Sequence, residues 1–380
     1  MKKLFNKLVL FMVTAILLTT CFFGCGDTPS TPPNTGETNI VEIKNVIVII
    51  GDGMGYEQIE AGELYEGKNY AFKSWNKASV NTDSYGGALT DSAAGGTAIA
   101  TGFVTYNGYV GKNPNGDDLE TVLDVAKKRN KSTAVITTDK LYGATPASFS
   151  AHSLSRNNKN EIIESQIKTS NVDILCGTES GTCSGYSSLI AEYGYEYCDD
   201  FSKIDQNLSK DKHYWLFDLD GTDATVELYE VVEKALTVLE RDEDGFAMMI
   251  EQAYIDKYCH DKDISGTVQS VKSLNDTVEL VMRWVGNRKD TAVLITADHE
   301  TGGLTVYDQE TSGSSTFKTL NNGTVHYRYF KTDHTKTQVG LFVYGATPQF
   351  SSYITYQSNL VIKNIETSQI IKKLVLSQAV

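Results

Sequence analysis

Three short apolar runs, each followed closely by an acidic residue, constrain the fold of this chain most strongly. The runs are residues 43–50, 245–250 and 291–296, and the polar residues that follow them are Asp52, Glu251, Asp298 and His299. Apolar, β-branched runs that alternate with helical segments are typical of a parallel sheet covered by helices on both faces. Ligands bind beyond the carboxyl ends of such strands, so these side chains should meet at one edge. The sequence predicts an α/β fold: a three-layer α/β/α sandwich around a largely parallel central sheet, with a metal site at the carboxyl ends of the strands.

The remaining periodicity assigns further strands and covering helices. Strands are predicted at residues 132–138, 172–175, 214–219 and 338–344, and helices at residues 119–130, 222–240, 265–288 and 366–378. Residues 142–146, which include Gly143 and Thr145, are predicted to form a loop. The Gly-, Ser- and Tyr-rich segment between the second and third of these strands is assigned to peripheral loops and short helices.

Residues 90–98, with the sequence TDSAAGGTA, place Ser92 at a turn that leads into a helix. Small residues let another group approach the backbone closely, and a helix N-terminus favours a bound phosphate. Ser92 is therefore a candidate phosphoryl-accepting nucleophile, although serine is also a common helix cap. The acids and histidines elsewhere, which could hold metal ions around this serine, favour the nucleophile.

Asp256 and His260 lie four residues apart and can share one metal ion, on a helical turn or in a compact loop. Glu251 is expected to need a partner, because a charged acid at the end of an apolar strand is costly when unpaired. His213 and His326 occur in polar sequence without such partners, and both are predicted to lie at the surface.

The net charge of −14 and the isoelectric point near 4.9 argue against a nucleic-acid partner, since no basic face is available to neutralise phosphates. An acidic surface still permits an anionic substrate when bound cations invert the local potential. The length of 380 residues, with 41% hydrophobic residues, is enough for one large core or two modest domains.

Residues 1–25 are predicted to be a lipoprotein-type signal peptide. Basic residues precede an apolar run, and the sequence FFGC ending at Cys25 resembles a bacterial lipoprotein processing site. Processing at Cys21 and an uncleaved apolar anchor are the alternatives. Residues 26–41 contain three of the six prolines of the chain among Thr, Ser and Asn, which predicts a tether. The protein is therefore expected to be exported and attached to a membrane.

The four remaining cysteines are Cys176, Cys183, Cys198 and Cys259, in a chain expected to enter a compartment that permits disulfides. Their spacing favours a short Cys176–Cys183 disulfide, although four cysteines allow three full pairings. Metal binding by these cysteines is not expected, because they lack paired C-x-x-C spacing.

Several motifs, in order from about residue 45 to residue 345, together resemble the alkaline phosphatase family. They are DGMG at Asp52, TDSAA around Ser92, ATP around Thr145 with the following His152 and Arg156, Glu251 with Asp256 and His260, TADHETGG around Asp298, and HT at His334. Several separated motifs in matching order are specific, whereas each alone is weak. The resemblance implies a catalytic domain at residues 42–380, with a short crown-like insertion at residues 300–333.

The resemblance also implies two Zn²⁺ and one Mg²⁺ per subunit. One zinc ion is expected at Asp256, His260 and His334, the other at Asp52, Asp298 and His299, and magnesium at Asp52, Thr145 and Glu251. Imidazole and carboxylate suit zinc, whereas an all-oxygen site suits magnesium. The implied catalytic residues are the nucleophile Ser92, the phosphate-binding Arg156, Asp91 as the residue that orients Arg156, and Lys257 facing the phosphate. His152 is expected to support the site without binding metal.

The activity implied by the resemblance is hydrolysis of small-molecule phosphomonoesters through a phosphoserine on Ser92. The alternatives are a phosphodiesterase of the same superfamily and a catalytically silent, surface-binding lipoprotein. A sulfatase is excluded, because the Cys/Ser-x-Pro-x-Arg context is absent around Ser92. The expected location is a cell membrane, through a lipid or signal anchor, facing the periplasm or the cell exterior. The resemblance also implies a homodimer, because relatives are often dimers, although the insertion is short at the position where larger members build a dimer-capping lobe.

Gly143 departs from the family pattern, which commonly has Asp or His two residues before the metal-binding threonine. Lys257 is therefore expected to lack an acidic partner and to face the phosphate more freely. Glycine also offers no side chain to hold the water molecules of a magnesium ion. Weaker, more easily exchanged magnesium is expected, and a positive φ at Gly143 would make any replacement destabilising.

Overall fold

The computed structural model describes residues 42–178, 183–206, 208–219, 226–345 and 360–377. Within these ranges the strands are β1 (Asn45–Gly51), β2 (Asn76–Asn81), β3 (Ser132–Lys140), β4 (Ile174–Thr178), β5 (Glu196–Cys198), β6 (His213–Leu216), β7 (Phe246–Gln252), β8 (Thr291–Thr296), β9 (Glu300–Thr301), β10 (Leu304–Tyr307), β11 (Ser315–Lys318), β12 (Thr324–Tyr329), β13 (His334–Thr335), β14 (Val339–Tyr344) and β15 (Val361–Lys363). The helices are α1 (Tyr56–Glu66), α2 (Ser92–Thr101), α3 (Val122–Lys127), α4 (Ala144–Ser150), α5 (Lys159–Lys168), α6 (Ser187–Glu192), α7 (Leu228–Leu239), α8 (Tyr254–His260), α9 (Ile264–Val285) and α10 (Asn364–Val375). The predicted signal peptide and tether lie outside the described residues. Within the described ranges, no helix combines the length and the apolar character needed to cross a membrane.

A ten-stranded sheet in the order β15-β2-β14-β8-β1-β7-β3-β4-β6-β5 forms the centre of the molecule. Neighbouring strands from β8 to β5 are all parallel, and β14 runs antiparallel to both β8 and β2. Every residue of β1 and β7 is buried, as expected for central strands covered on both faces. The prediction of a largely parallel central sheet is confirmed.

Helices pack on both faces of this sheet. On one face α1, α7 and α8 pack against α9, and on the other α2 and α3 pack against α10, while both α9 and α10 contact β1. The apolar stripe of α7 is buried, including Val231, Ala235, Val238 and Leu239. These contacts confirm the three-layer α/β/α sandwich.

The strand register brings the predicted acidic positions to one level of the sheet. Ile50 of β1 lies opposite Glu251 of β7 on one side and opposite Thr296 of β8 on the other. Thr137 of β3 also lies opposite Glu251. Because the four strands are parallel, the residues that follow β1 and β8 emerge at the same edge as Glu251.

Two predicted elements differ from the structure because of local helix-start signals. The predicted helix at 119–130 is the shorter α3, since Thr121 and Asp124 form a reciprocal cap that starts the helix at Val122. The predicted loop at 142–146 instead contains the start of α4, whose first turn accommodates Pro146. The edge strand β5, only three residues long, was too short to be predicted from periodicity.

His213 is buried, so the surface position predicted for it is wrong. It lies on β6 between β4 and β5, opposite Ile174 and Glu196, and its ring centroid is 4.8 Å from that of Trp215. The Nε2–H group donates to the Lys210 carbonyl at 2.9 Å. Burial lowers the pKa of His213, which favours a neutral ring inside the sheet.

The predicted disulfide between Cys176 and Cys183 is absent from the structure. Cys176 lies within β4, between Ile136 of β3 and Trp215 of β6, and is fully buried. A strand advances about 3.3 Å per residue, so β4, which continues to Thr178, carries the chain away from Cys176. Cys176 is therefore a core residue, and its burial raises the pKa of the thiol above its ordinary value.

The predicted crown-like insertion at residues 300–333 contains a small antiparallel sheet in the order β10-β12-β11. His326 of β12 lies opposite Tyr307 and Thr316. It is half-buried rather than fully at the surface, because it lies on the middle strand of this sheet.

Candidate active site and metal centre

Ser92 is the first residue of α2 and is almost fully buried, with 4% exposure. The preceding Asp91 caps the helix, because its Oδ1 accepts the Ala94 N–H at 2.9 Å. Ser92 Oγ lies 3.3 Å from His299 Nε2. The predicted nucleophile therefore lies at the N-terminus of a ten-residue helix, which favours an anion, and beside an imidazole.

Arg156 reaches the start of α2 through Asp91. Its Nη1–H donates to Asp91 Oδ2 at 3.2 Å, and the Gly108 N–H donates to the same oxygen at 3.0 Å. The Arg156 backbone N–H donates to the Gly108 carbonyl at 2.7 Å. These hydrogen bonds to Asp91 thus hold the guanidinium group that was predicted to bind phosphate near the start of α2, where Ser92 lies.

Asp52, Asp298 and His299 form a buried cluster in which one donor atom of each lies within 4.8 Å of the others. His299 Nε2 lies 3.5 Å from Asp52 Oδ1 and 3.4 Å from Asp298 Oδ2. Among the described residues, Asp52 Oδ1 and Asp298 Oδ2 are buried without a hydrogen-bond partner. Such orphaned carboxylate oxygens are costly for the protein alone, so the cluster fits a bound cation.

Asp256 and His260 lie on α8 and meet His334 of β13. Asp256 Oδ2 is 3.3 Å from His260 Nε2, and Asp256 Oδ1 is 3.7 Å from His334 Nε2. His260 Nδ1–H donates to the Thr332 carbonyl at 2.6 Å, and His334 Nδ1–H donates to the Thr90 carbonyl at 2.8 Å. These bonds turn both Nε2 atoms toward Asp256, in the tautomer that a zinc ligand needs.

The two predicted zinc sets are parts of one continuous cluster. The further groups with donor atoms close enough to share an ion are Asp256 with His299 and His334, and His260 with Asp333 and His334. The rings of His299 and His334 stack with centroids 3.6 Å apart. The structure therefore brings together all six predicted zinc ligands and adds Asp333 at their edge.

Glu251, Thr145 and Asp52 form an oxygen-only set beside this cluster. Glu251 is 1% exposed, and the Thr137 hydroxyl donates to its Oε2. Thr145, in the first turn of α4, donates its hydroxyl to Asp52 Oδ2 at 3.4 Å. Glu251 thus has the hydrogen-bond partner that its position required, and the three side chains suit magnesium.

The buried acids are held in an environment that opposes their ionisation. Burial, followed by repulsion from Asp256 and Glu251, raises the pKa of Asp298 to about 8. Burial also raises the pKa of Glu251 to about 7 and, together with Asp298, raises that of Asp52 well above its ordinary value. A bound divalent cation would reverse this balance by favouring the carboxylates.

Lys257 has an acidic partner, so the expectation that Gly143 leaves it without one is wrong, whereas weaker magnesium binding stays a prediction. Its Nζ lies 2.5 Å from Asp139 Oδ1, near the end of β3, and 4.4 Å from the centroid of the Tyr254 ring. The φ angle of Gly143 is −56°, so the positive value considered from sequence is also excluded. Sequence reasoning missed this pair because 118 residues separate its members and no motif contains Asp139.

Three further residues support the ligands without having been predicted. Thr137 bonds Glu251, Asp333 accepts the His334 N–H at 2.8 Å, and Thr301 Oγ1 donates to Asp256 Oδ1 at 2.5 Å. Thr301 lies inside the TADHETGG motif and Asp333 directly precedes His334, so both had a usable signal, whereas Thr137 had none. His152 donates Nε2–H to the Leu119 carbonyl at 2.9 Å and belongs to none of the candidate metal groups in the described part of the chain.

Comparisons with known proteins agree with this geometry. Residues 43–178 and 208–369 match the model of the family described as Alkaline phosphatase. Alkaline phosphatase 4 of Bacillus subtilis is 30% identical over 326 residues, which cover 79% of this chain and 71% of that protein. Alkaline phosphatase 3 of the same organism is 33% identical over 294 residues, which cover 70% of this chain and 63% of that protein.

Solved structures support the fold independently. The alkaline phosphatase from the Antarctic bacterium TAB5 superposes with a TM-score of 0.76 at 23% identity, over 89% of this chain and 100% of that chain. A histidine-to-aspartate variant of the TAB5 protein, with a TM-score of 0.74 at 23% identity over 89% of this chain and 99% of its own, has Mg bound in its M3 site. The carboxylates and imidazoles converge in one cluster, and both the family model and the Bacillus relatives match this chain. The protein is therefore a metal-dependent phosphatase that belongs to the alkaline phosphatase family.

Proposed function

We propose that this protein hydrolyses small-molecule phosphomonoesters through a phosphoserine formed on Ser92. The observation that carries the proposal is the position of Ser92 Oγ, 3.3 Å from His299 Nε2, inside a cluster of acids and imidazoles. Two metal ions held by such a cluster can clamp a phosphoryl group for in-line displacement. The Bacillus relatives named alkaline phosphatases support the same substrate class.

The proposed metals are two Zn²⁺ and one Mg²⁺. The proposed zinc ligands are Asp256, His260 and His334 in one set and Asp52, Asp298 and His299 in the other, and the proposed magnesium ligands are Asp52, Thr145 and Glu251. The donor types support this division, because one site offers only oxygen atoms. When bound, these ions lower the pKa of the serine hydroxyl and of water and stabilise charge on the phosphoryl and leaving oxygens.

The residues of the chain then have distinct roles. Ser92 Oγ, after losing its proton, forms a bond to phosphorus while the bond from phosphorus to the leaving oxygen breaks. Arg156, oriented by Asp91, binds the phosphoryl oxygens through paired N–H groups. Water next attacks phosphorus, the bond to Ser92 Oγ breaks, and inorganic phosphate leaves as the serine regains a proton. Alkaline pH is expected to favour the reaction, because a serine hydroxyl ionises with difficulty.

Substrate choice and metal dependence test the proposal. Matched p-nitrophenyl phosphate monoester, diester and sulfate substrates should be compared with and without a chelator. Hydrolysis of the monoester should dominate, disappear on chelation and return with zinc plus magnesium. A preference for the diester would establish the phosphodiesterase instead, and the absence of turnover in metal-loaded protein would favour a binding lipoprotein.

Trapping tests the covalent intermediate directly. Acid quenching with a labelled phosphomonoester should leave label on the native protein and none on Ser92→Ala. Ser150→Ala is a matched control, because Ser150 is also buried but donates its hydroxyl to the Pro146 carbonyl at 2.7 Å. Label that persists on Ser92→Ala would remove Ser92 from the proposed role.

The proposed location is the outer side of a cell membrane, with lipid on Cys25. Support comes from the sequence of residues 1–41, which includes the processing-site resemblance and the proline-rich tether. Membrane material should contain acylated Cys25 at the mature N-terminus, and Cys25→Ser should abolish acylation whereas Cys21→Ser should not. A soluble mature protein that begins after Gly26 would contradict lipidation.

A homodimer is also proposed, and sedimentation of the mature protein tests it.

A further inference from the structure

Neighbouring atoms leave no room for a side chain at position 143, which explains why this residue is a glycine. Its φ of −56° and ψ of 158° lie in a region that other residues adopt without strain. A Cβ atom built there would lie 2.6 Å from Asp139 Oδ2 and 2.9 Å from the Lys140 carbonyl oxygen. The Asp139 carboxylate therefore occupies volume that a side chain at position 143 would need.

Asp139 is also connected to the oxygen-only set. Its backbone N–H donates to Thr137 Oγ1 at 2.9 Å, and the Thr137 hydroxyl donates to Glu251. Its carboxylate accepts from Lys257 at 2.5 Å. Asp139 is close enough to Glu251 that its charge contributes to raising the pKa of that residue. The Asp139 side chain thus contacts Lys257, while its backbone N–H contacts the hydrogen-bond partner of a proposed metal ligand.

We propose that Asp139 is a positioning residue of the site formed by Asp52, Thr145 and Glu251. Its carboxylate replaces the side chain that Gly143 lacks, holds Lys257 in place and accepts hydrogen bonds from water molecules of the bound divalent cation. Magnesium keeps several of its water molecules in proteins, so an acceptor beside the ligands affects its affinity. The inference rests on the proposed function, in which this site holds magnesium.

The acid of the Lys257–Asp139 ion pair is less exposed than the acid of an ordinary surface ion pair. The Lys112–Asp118 pair serves as the comparison: its acid is 64% exposed and its lysine is 15% exposed. The Asp139 side chain is 26% exposed and is crowded against position 143. An exposed pair contributes little by itself, whereas the Asp139 carboxylate lies between Lys257 and Gly143, and the Asp139 backbone N–H is held by Thr137.

Calorimetric titration of magnesium into zinc-loaded, magnesium-depleted protein tests the role of the carboxylate. Asp139→Asn keeps the size of the side chain and removes its charge, so magnesium affinity should fall by about 10–100-fold. Zinc affinity, measured by competition with a chelating dye, should stay unchanged. The matched control Asp118→Asn, which removes the charge of an exposed acid paired with Lys112, should bind magnesium as the native protein does.

Exchange of the two positions tests the crowding. Gly143→Asp alone places two carboxylates in one volume, so it should weaken magnesium binding and lower the midpoint of thermal unfolding of the metal-free protein. The double variant Asp139→Gly/Gly143→Asp should recover part of both losses, because it removes the contact with the Asp139 carboxylate but leaves the Lys140 carbonyl oxygen 2.9 Å from the new Cβ atom. Gly185→Ala is the control for a glycine replacement, because no atom lies within 4 Å of a Cβ built at Gly185.

The outcomes separate this inference from the proposed function. Native affinity in Asp139→Asn, or a double variant no better than Gly143→Asp, would overturn the role of Asp139 while leaving the phosphatase intact. A native protein that binds no magnesium would instead overturn the proposed metal content, and the role of Asp139 would fall with it. Weakened binding in Asp139→Asn together with recovery in the double variant supports the inference.

Discussion

At the scale of single residues, Asp91 connects the fold to the chemistry. One of its oxygens caps α2 through the Ala94 N–H, and the other accepts from Arg156 and from the Gly108 N–H. The same carboxylate therefore stabilises the helix that carries Ser92 and orients the proposed phosphate-binding group. Replacements that keep or remove the cap separate these two roles.

Asp91→Asn should weaken phosphate binding while preserving stability. Asparagine caps helices about as well as aspartate, but it loses the charge that holds Arg156. Inhibition by inorganic phosphate should weaken by roughly tenfold, while the Tm of the metal-loaded protein stays close to native. Asp91→Ala should weaken inhibition similarly and also cost about 1 kcal/mol of unfolding free energy. Equal stability of the two variants would show that the cap contributes nothing.

Thr301 links the two proposed zinc sets. Its hydroxyl donates to Asp256 Oδ1 at 2.5 Å and lies 3.2 Å from His299 Nδ1. Thr301→Val keeps the shape and removes both contacts, so zinc affinity should fall by roughly 10–100-fold in a dye competition assay. Thr237→Val, on the exposed side of α7, is the control and should leave zinc binding unchanged. Native affinity in Thr301→Val would remove Thr301 from the support of the metal centre.

At the scale of elements, α2 lies unusually close to its neighbours because its residues are small. All ten of its residues are buried. A Cβ atom at Gly95 would lie 2.8 Å from the Asp298 carbonyl oxygen, and one at Gly96 would lie 3.1 Å from Ser148 Oγ of α4. The glycines therefore allow the helix that starts at Ser92 to pack against the end of β8, which carries proposed metal ligands.

Gly95→Ala should destabilise the protein more than Gly96→Ala. Alanine by itself favours a helix over glycine by about 0.5–1 kcal/mol, so any loss must come from overpacking, which typically costs about 1–3 kcal/mol. A Cβ atom at Gly95 would lie 2.8 Å from a backbone oxygen, whereas the contacts at Gly96, of 3.1 Å to Ser148 Oγ, 3.2 Å to Ser148 Cβ and 3.3 Å to Thr145 Cα, need smaller shifts. Urea denaturation of the metal-loaded variants measures the order. Stabilisation by Gly95→Ala would show that α2 has room to move from the metal centre.

At the scale of the whole molecule, the parallel order β8-β1-β7-β3 concentrates acidic groups at one edge of the sheet. Asp52, Glu251 and Asp298 are buried there close to one another, and each has a pKa raised by burial and by neighbouring carboxylates. The fold therefore holds these three carboxyl groups where they repel one another when ionised, and bound cations would offset that repulsion. Removal of the metals should expose this repulsion as a pH-dependent loss of stability.

The metal-free protein should become less stable as pH rises from about 4 to about 8. In the folded state Asp298 and Glu251 keep protons up to pKa values of about 8 and about 7, whereas unfolded carboxyl groups release them near pH 4. Their stabilising contribution is fully present below the unfolded pKa and is lost as pH rises through the folded pKa.

Urea denaturation of chelated protein across this pH range measures the effect. The metal-loaded protein, in which cations favour the carboxylates, should not show the same decline. Asp298→Asn should flatten the decline in the chelated protein, because it removes one of the groups that titrate. An unchanged slope in Asp298→Asn would contradict the assignment of the effect to this acidic edge.

The sequence by itself determined the central architecture and most of the candidate ligands. Long apolar runs such as the one before Asp52 are strong signals, because a buried parallel strand needs apolar residues on both faces. Glu251 is the penultimate residue of β7, and Asp298 and His299 follow β8 closely, so the direction of the strands was enough to bring them together. His260 was predictable for a different reason, because it lies close to Asp256 in the sequence.

Only the tertiary structure decided the contacts between distant segments. Asp139 and Lys257, 118 residues apart, meet because β3 and β7 are neighbours. Asp139 is therefore the acidic partner of Lys257, which Gly143 cannot be because it has no side chain. His213 lies in polar sequence, yet the neighbouring strands β4 and β5 bury it. Local sequence determines which residues can form a strand or a cap. The order and register of the strands determine which side chains share a volume, and those depend on packing across the whole chain.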